Sequence, residues 1–128
     1  MEPAREAEEE EIDVIWDENG TARYRILKDN RIVDFDGHNL AWLDEQGSVI
    51  DYDGRHLAFY ENGIMRDTEG SVVGLGKDPI GPHPVLPNKG LIPQAIKAAA
   101  APKKSKPQKV LKKPQASLLW SRKMLEEL

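Results

Sequence analysis

The chain of 128 residues contains no cysteine and no long apolar run. The missing cysteines exclude a disulfide framework, thiolate metal ligands and a cysteine nucleophile. No stretch of the chain reaches the roughly 18 apolar residues of a membrane-spanning helix. Its acidic start is also unlike the basic and then apolar start of a secretory signal peptide. We therefore expect a soluble, cytoplasmic protein that spans no membrane.

Motifs of catalysis and cofactor binding are missing as well. The chain has no Gly-x-Ser-x-Gly nucleophile elbow and no Gly-rich loop followed by Lys and Ser or Thr. It is too short for a TIM barrel or a two-half dinucleotide fold. The three histidines, His38, His56 and His83, show no recognisable metal-ligand spacing. We expect a protein that is not an enzyme and that uses no cofactor or metal.

Charge and composition divide the chain into two unlike parts. The formal net charge of −4 conceals 7 Lys/Arg against 19 Asp/Glu in residues 1–76, and 11 against 3 in residues 77–128. Such asymmetry is typical of a folded body with an interaction tail. We predict four segments: an acidic lead-in (1–12), a β-hairpin repeat domain (13–76), a Pro/Lys-rich linker (77–115) and a C-terminal apolar docking segment (116–128).

Glycine recurs at a nearly constant interval in the body. Gly20, Gly37, Gly54 and Gly70 are 17, 17 and 16 residues apart, and an Asp lies three residues before each. A second series, Asn30, Gly47 and Gly63, has spacings of 17 and 16. A fixed period indicates a repeat architecture, and the short alternating runs of branched and aromatic residues between the turns are typical of strands. Each unit is predicted to be a β-hairpin, whose turn Asp accepts backbone N–H groups and whose Gly adopts a positive φ.

Four hairpins of this length must share one core, because an isolated hairpin is at best marginally stable in water. We predict an all-β fold of four short hairpins around a pseudo-fourfold axis, closed on itself or on another copy of the chain. Beyond the body we predict an extended Lys/Pro-rich tail that has two turns of helix over residues 94–101 and ends in a short helix or docking segment. The predicted core consists of the apolar repeat positions Ile32, Leu40, Trp42, Val49, Leu57, Phe59, Val73 and Leu75.

Three stretches of the body have closely related sequences. Residues 32–42 are IVDFDGHNLAW, residues 49–59 are VIDYDGRHLAF and residues 61–73 are ENGIMRDTEGSVV. With the basic tail and the Trp120-Ser121 pair near its end, they resemble the bacterial four-fold beta flower family. In that family such hairpins precede a Lys/Pro-rich linker and a short segment containing Ser-Trp-Ser. The resemblance implies the predicted fold and no particular activity.

The candidate binding residues lie in the tail. An apolar cluster near helical spacing is predicted to insert into a groove on a protein partner, and it consists of Leu118, Leu119, Trp120, Met124, Leu125 and Leu128. The basic run before it contains Lys103, Lys104, Lys106, Lys109, Lys112 and Lys113 without any acidic residue. We expect this electrostatic tail to be a solvated, disordered linker or to fold back on the acidic body or on an acidic partner.

These patterns favour a non-enzymatic protein-binding or scaffold module, for which self-association into a homo-oligomer is left open. One alternative is a glycan or cell-wall ligand-binding domain that uses exposed hairpin aromatics such as Trp16, Phe35 and Tyr52. Another is a nucleic-acid accessory protein that uses the Lys tail, although the acidic body makes nucleic acid a poor partner. Two carboxylates per turn are fewer than a calcium loop needs, so we interpret the following pairs as turn residues: Asp34 with Asp36, and Asp51 with Asp53.

Overall fold

The computed structural model describes residues 10–86, 88–108 and 111–128, so most of the acidic lead-in lies outside the described residues. Eight antiparallel strands form one closed barrel in which each strand pairs with its neighbours along the chain. The strands are β1 (Glu11–Trp16), β2 (Ala22–Leu27), β3 (Arg31–Asp34), β4 (Asn39–Leu43), β5 (Ser48–Ile50), β6 (His56–Glu61), β7 (Ile64–Asp67) and β8 (Val72–Leu75). The prediction of an all-β fold of four hairpins is confirmed.

The turns that join the two strands of each hairpin have the predicted chemistry. Gly20, Gly37, Gly54 and Gly70 adopt φ values between +78° and +95°. The Asp three residues before each glycine accepts, on one carboxylate oxygen, the N–H groups two and four positions later at 2.8–3.0 Å. Asp44 forms the same two bonds in a turn of the second series. All four turns of the first series therefore share one geometry, which recurs in the second series at Asp44.

The core along the barrel axis contains four of the predicted residues, Ile32, Val49, Leu57 and Val73, with Leu40 packed against it. Trp42, Phe59 and Leu75 are not part of this cluster, so their predicted position at the axis was wrong, although Phe59 and Leu75 are buried. The reason is a β-bulge in each hairpin, which places one extra residue on the second strand: Arg23, Leu40, Leu57 and Val73. An extra residue reverses which face the following side chains occupy.

Small residues follow the bulges and point to the axis where the prediction placed larger ones. Ala41 and Ala58 belong to the core cluster, and Gly74 pairs with the core residue Met65. The next side chains, Trp42 and Phe59, consequently lie on the outer face. The barrel therefore has an apolar outer surface as well as an apolar interior.

The described part of the tail, residues 77–86, 88–108 and 111–128, covers this outer surface. Leu86 packs against a cluster of β1 and β2, Ala98 against one of β2 and β3, and Trp120 against one of β7 and β8. The tail thus folds back on the acidic body, which is one of the arrangements that its charge predicted. No helix in the described residues is long and apolar enough to cross a membrane.

The two predicted helical turns over residues 94–101 are absent, and the chain is extended there. The N–H groups of Ile96 and Ala99 donate to the carbonyls of Phe35 and Gly37 at 2.9 Å, instead of bonding within a helix. Among the described residues, the only helical element is the 3₁₀ turn Leu125–Glu127. The tertiary bonds to the barrel therefore override the local helix propensity of the alanines.

Candidate functional site: the C-terminal tail

The tail passes the four hairpin turns in order. The N–H groups of Gly90, Ala99, Gln108 and Ser117 donate to the carbonyls of Gly20, Gly37, Gly54 and Gly70, with N···O distances of 2.7, 2.9, 2.8 and 3.2 Å. The donors are nine residues apart, whereas the acceptors are 17 or 16 residues apart. Each nine-residue stretch of tail therefore spans one hairpin unit of the barrel.

The turn glycines are also required because the tail backbone approaches them closely. The carbonyls of Asn88, Lys97, Lys106 and Gln115, again nine residues apart, lie against the four glycines, and a Cβ atom at Gly37 would be 2.6 Å from the Lys97 oxygen. The positive φ and the missing side chain thus serve two purposes at the same position. Turn chemistry alone predicts the positive φ. The need for a missing side chain comes from the tail backbone that approaches the glycine.

Side chains of the tail and the barrel interlock with the same period. The Lys89 ammonium lies 4.7 Å from the ring centroid of Trp16, and the Trp16 indole N–H donates to the Gly90 carbonyl at 2.9 Å. One unit later, Ala98 packs against Val33 in a buried cluster. Lys89 over the Trp16 ring in the first unit therefore corresponds to Ala98 against Val33 in the second unit, where both side chains are small and apolar.

The predicted electrostatic lysines have different environments. The Lys104 ammonium lies 4.3 Å from the ring centroid of Trp42, and the Lys113 ammonium is 2.8 Å from a carboxylate oxygen of Glu61. The remaining described lysines of the run are exposed: Lys103, Lys106 and Lys112. Lys109 lies outside the described residues.

The C-terminal segment enters the mouth of the barrel. Leu125 is 1% exposed and belongs to the core cluster. Its N–H donates to the Tyr24 hydroxyl at 3.0 Å, and that hydroxyl donates to the Glu126 carboxylate. Burial, together with this bond, raises the pKa of Tyr24 above its usual range. The chain end is therefore part of the barrel core and does not project from it.

The six predicted partner-binding residues do not form one surface. Trp120 packs against the outer face of β7 and β8, and Leu125 and Leu128 pack in the core cluster. Leu118 and Leu119 are 62% and 70% exposed. Met124 is partly buried. The barrel itself supplies the surface that covers most of this segment, which leaves Leu118 and Leu119 accessible to another molecule.

The tail also reinforces the seam where the barrel closes. β1 and β8 pair only at Trp16 and Leu75, and Leu86 packs against the buried clusters on both sides of this seam. The seam is also held by the buried carboxylate of Asp13, which accepts the Tyr60 hydroxyl and, at 2.9 Å, the N–H at the start of the tail, that of Lys77. Burial, together with the bond to Asp13, raises the pKa of Tyr60. The tail is thus a structural part of the closed barrel.

A sequence model of the 4-fold beta flower protein family matches residues 13–128, which include the whole tail. The chain belongs to this family. No curated protein and no solved structure gives a significant match. The extent of the match agrees with the geometry, because the barrel and the tail of this beta flower protein form one structure.

The aromatics considered for glycan stacking are covered to different degrees. Trp16 is 5% exposed beneath Lys89, so its ring faces are closed to a sugar. Phe35 is partly buried against the same outer cluster. Tyr52 is partly buried too, and its hydroxyl lies 3.4 Å from the Ala41 carbonyl. These rings do not form a common exposed platform.

One turn of the beta flower has ligand types suited to a cation. Among the described residues, Asp34, Asp36 and His38 are the only such group of three, with ligand atoms within 4.8 Å of one another. Asp34 already accepts two backbone N–H groups on one oxygen, and its other oxygen lies 2.9 Å from His38 Nδ1. That hydrogen bond raises the pKa of His38. The turn therefore already uses the carboxylate that a metal ion would need.

Exposed apolar side chains concentrate on the tail of the beta flower. Of the nine large hydrophobic residues that are at least 41% exposed in the described part of the chain, eight lie in the tail. They are Ile80, Val85, Leu91, Ile92, Ile96, Leu111, Leu118 and Leu119. The barrel strands contribute only Ile12 to this set. No pattern of the repeat predicts this distribution, because it depends on which face of the tail meets the barrel.

Proposed function

We propose that this beta flower protein is a non-enzymatic protein-binding or assembly module, working in the cytoplasm, whose partner contacts the outward side of the tail. The observation that carries the proposal is the concentration of exposed apolar side chains on residues 80–119. Single exposed apolar residues are normal on protein surfaces. Eight along one segment of a small protein favour an interaction role for the outward side of that segment.

The way in which the tail is held supports this function. Backbone hydrogen bonds fix it to the barrel at all four turns, so its outward side chains are already positioned. A preorganised surface loses less conformational entropy on binding than a free peptide does. The barrel is thus the platform, and the tail is the surface presented to the partner.

Leu118 and Leu119 are the residues we assign to the centre of this contact. They directly precede Trp120, which is anchored on β7 and β8, and the carbonyl of Leu119 accepts the N–H of Val72 at 2.9 Å. Two adjacent apolar side chains on an anchored segment provide a rigid contact of the kind found at interface centres. Lysines elsewhere on the tail favour a partner with acidic groups around its apolar contact.

The same lysines support a protein partner over nucleic acid. The tail lies across turns that carry Asp and Glu side chains, so the field of its lysines is partly cancelled at the surface. A nucleic acid gains most of its affinity from unopposed phosphate contacts. The mixed charge of this surface suits a protein face better than a polyanion.

The test is a pull-down from the native host with the full chain and a Leu118→Asp/Leu119→Asp variant. We expect the wild type to retain a stoichiometric partner that the double variant loses. The matched control is Val85→Asp, since Val85 is 88% exposed and lies outside the assigned centre. Circular dichroism must show that both variants fold. A partner that the folded double variant retains at the wild-type level contradicts the proposal.

A further inference from the structure

The second and third hairpin units differ at one equivalent pair of positions. Trp42 lies five residues after Gly37, and Phe59 lies five residues after Gly54. On the tail, Lys104 and Lys113 are nine residues apart, which is the interval of one unit. The geometry therefore makes Phe59 with Lys113 the counterpart of Trp42 with Lys104.

The two pairs are arranged differently. In the second unit, Lys104 covers the indole of Trp42. In the third unit the ring is smaller, and the Lys113 ammonium turns aside to the Glu61 carboxylate at 2.8 Å. An open cavity of about 180 Å³ remains beside Phe59, between the start of the tail and residues 113–116.

The lining of this cavity, here called the Phe59 pocket, is mainly apolar. Phe59 and Ile64 are buried and form its base, whereas Ile80 is 68% exposed and forms part of its edge. Pro114 and Ala116 lie on the tail side, and the charged groups of the lining belong to Glu61, Arg66 and Lys113. Its volume is well below the roughly 300–1,000 Å³ of small-molecule sites. The pocket is therefore of a size to accept one side chain of a larger molecule.

We propose that the Phe59 pocket binds an aromatic side chain of a protein partner, which packs beside the Phe59 ring against the apolar base. Lys113, in the lining of the pocket, then supplies a cation to that ring as Lys104 does to the Trp42 indole in the second unit, because an ammonium over an aromatic face is attractive. The assignment rests on the proposed protein-binding function and names its anchor. Ala116 in the lining is two residues from Leu118, so the pocket adjoins the assigned contact centre.

The probe is indole, titrated into the isotope-labelled full chain while the backbone amide resonances are recorded. We expect shifts confined to residues around Phe59, Ile64 and Ala116, with a dissociation constant on the order of 1 mM for a ligand of this size. Phe59→Trp fills the pocket from within and should weaken binding at least about tenfold. Ala116→Leu fills it from the tail side and should have the same effect. The same loss of binding in two independent variants is not explained by misfolding of one of them.

The control variant is Trp42→Phe. It changes the aromatic ring of the second unit and leaves the lining of the Phe59 pocket intact, so indole should shift the same resonances as in the wild type. Indole shifts that persist unchanged in both filling variants overturn the assignment. Loss of the shifts in folded Trp42→Phe contradicts the placement of the site at Phe59.

The source of the aromatic ring is tested with a capped Ala-Trp-Ala peptide. We expect it to shift the same resonances as indole, with similar or higher affinity. If free indole binds and the peptide does not, the pocket takes a small molecule and the protein-partner assignment is wrong. These titrations need no partner, so their failure is distinguishable from that of the pull-down, which tests Leu118 and Leu119.

Discussion

Shortening Leu125 tests whether the chain end is part of the barrel core. Leu125 is 1% exposed and belongs to a buried cluster that includes residues from all eight strands. Replacing a buried Leu with Ala removes apolar contacts and leaves a cavity, at a cost of about 2–5 kcal/mol. We expect Leu125→Ala to lower the free energy of unfolding by about 3 kcal/mol, which is a large fraction of the roughly 5–15 kcal/mol of a typical domain.

The assay is urea denaturation monitored by tryptophan fluorescence and circular dichroism. With a slope of about 1–3 kcal/mol per M for small proteins, the loss corresponds to a midpoint lowered by roughly 1–3 M. The matched control is Leu118→Ala, because Leu118 is 62% exposed in the same segment and should change stability by no more than about 0.5 kcal/mol. Equal midpoints for the two variants refute the placement of Leu125 in the core.

Three further predictions concern the turns and the seam. Gly54→Ala should destabilise the protein more than Gly81→Ala by about 1–3 kcal/mol, since both have positive φ but only Gly54 has the tail backbone against it; equal unfolding midpoints contradict this. The pKa of His38, followed by NMR titration, should lie above its usual value of about 6.5 and return toward it in Asp34→Asn. The stabilisation that comes from the raised pKa of His38 is present below about pH 6.5 and is lost as pH rises through the folded-state pKa. An unchanged pKa of His38 in Asp34→Asn contradicts the pairing of these two side chains. For Tyr60, whose pKa is raised, the folded state resists ionisation, so stability should fall above about pH 10. Tyr60→Phe should lessen that fall, and an unaltered alkaline unfolding profile argues against the seam contact.

The turn chemistry of the barrel was predictable because it is local. An Asp that accepts the N–H groups two and four residues later, followed by a glycine with positive φ, needs no information from the rest of the chain. The period of that motif is sufficient to predict four hairpins and their closure. The face occupied by Trp42 and Phe59 was not predictable by alternation, because a single bulged residue before each reverses the pattern.

The destination of the C-terminal segment was not predictable for a different reason. An apolar cluster such as Trp120 with Leu125 indicates that some surface must cover it, and the sequence does not distinguish the chain's own barrel from a partner. The deciding factor is the barrel mouth, where the axial core accepts Leu125 beside the Tyr24 hydroxyl. That opening exists only once the four hairpins have assembled.

The nine-residue period of the tail was present in the sequence, in a weaker form than the glycine repeat. Pro84, Pro93 and Pro102 are nine residues apart, as are Lys104 and Lys113. In extended chain, at about 3.1 Å per residue, nine residues cover about 28 Å, which must match the path between adjacent turns. Because backbone groups make the contacts at the turns, side chains can vary while the length between contacts cannot. The geometry of such a tail therefore constrains spacing more than residue identity, and a search for residue identity alone overlooks it.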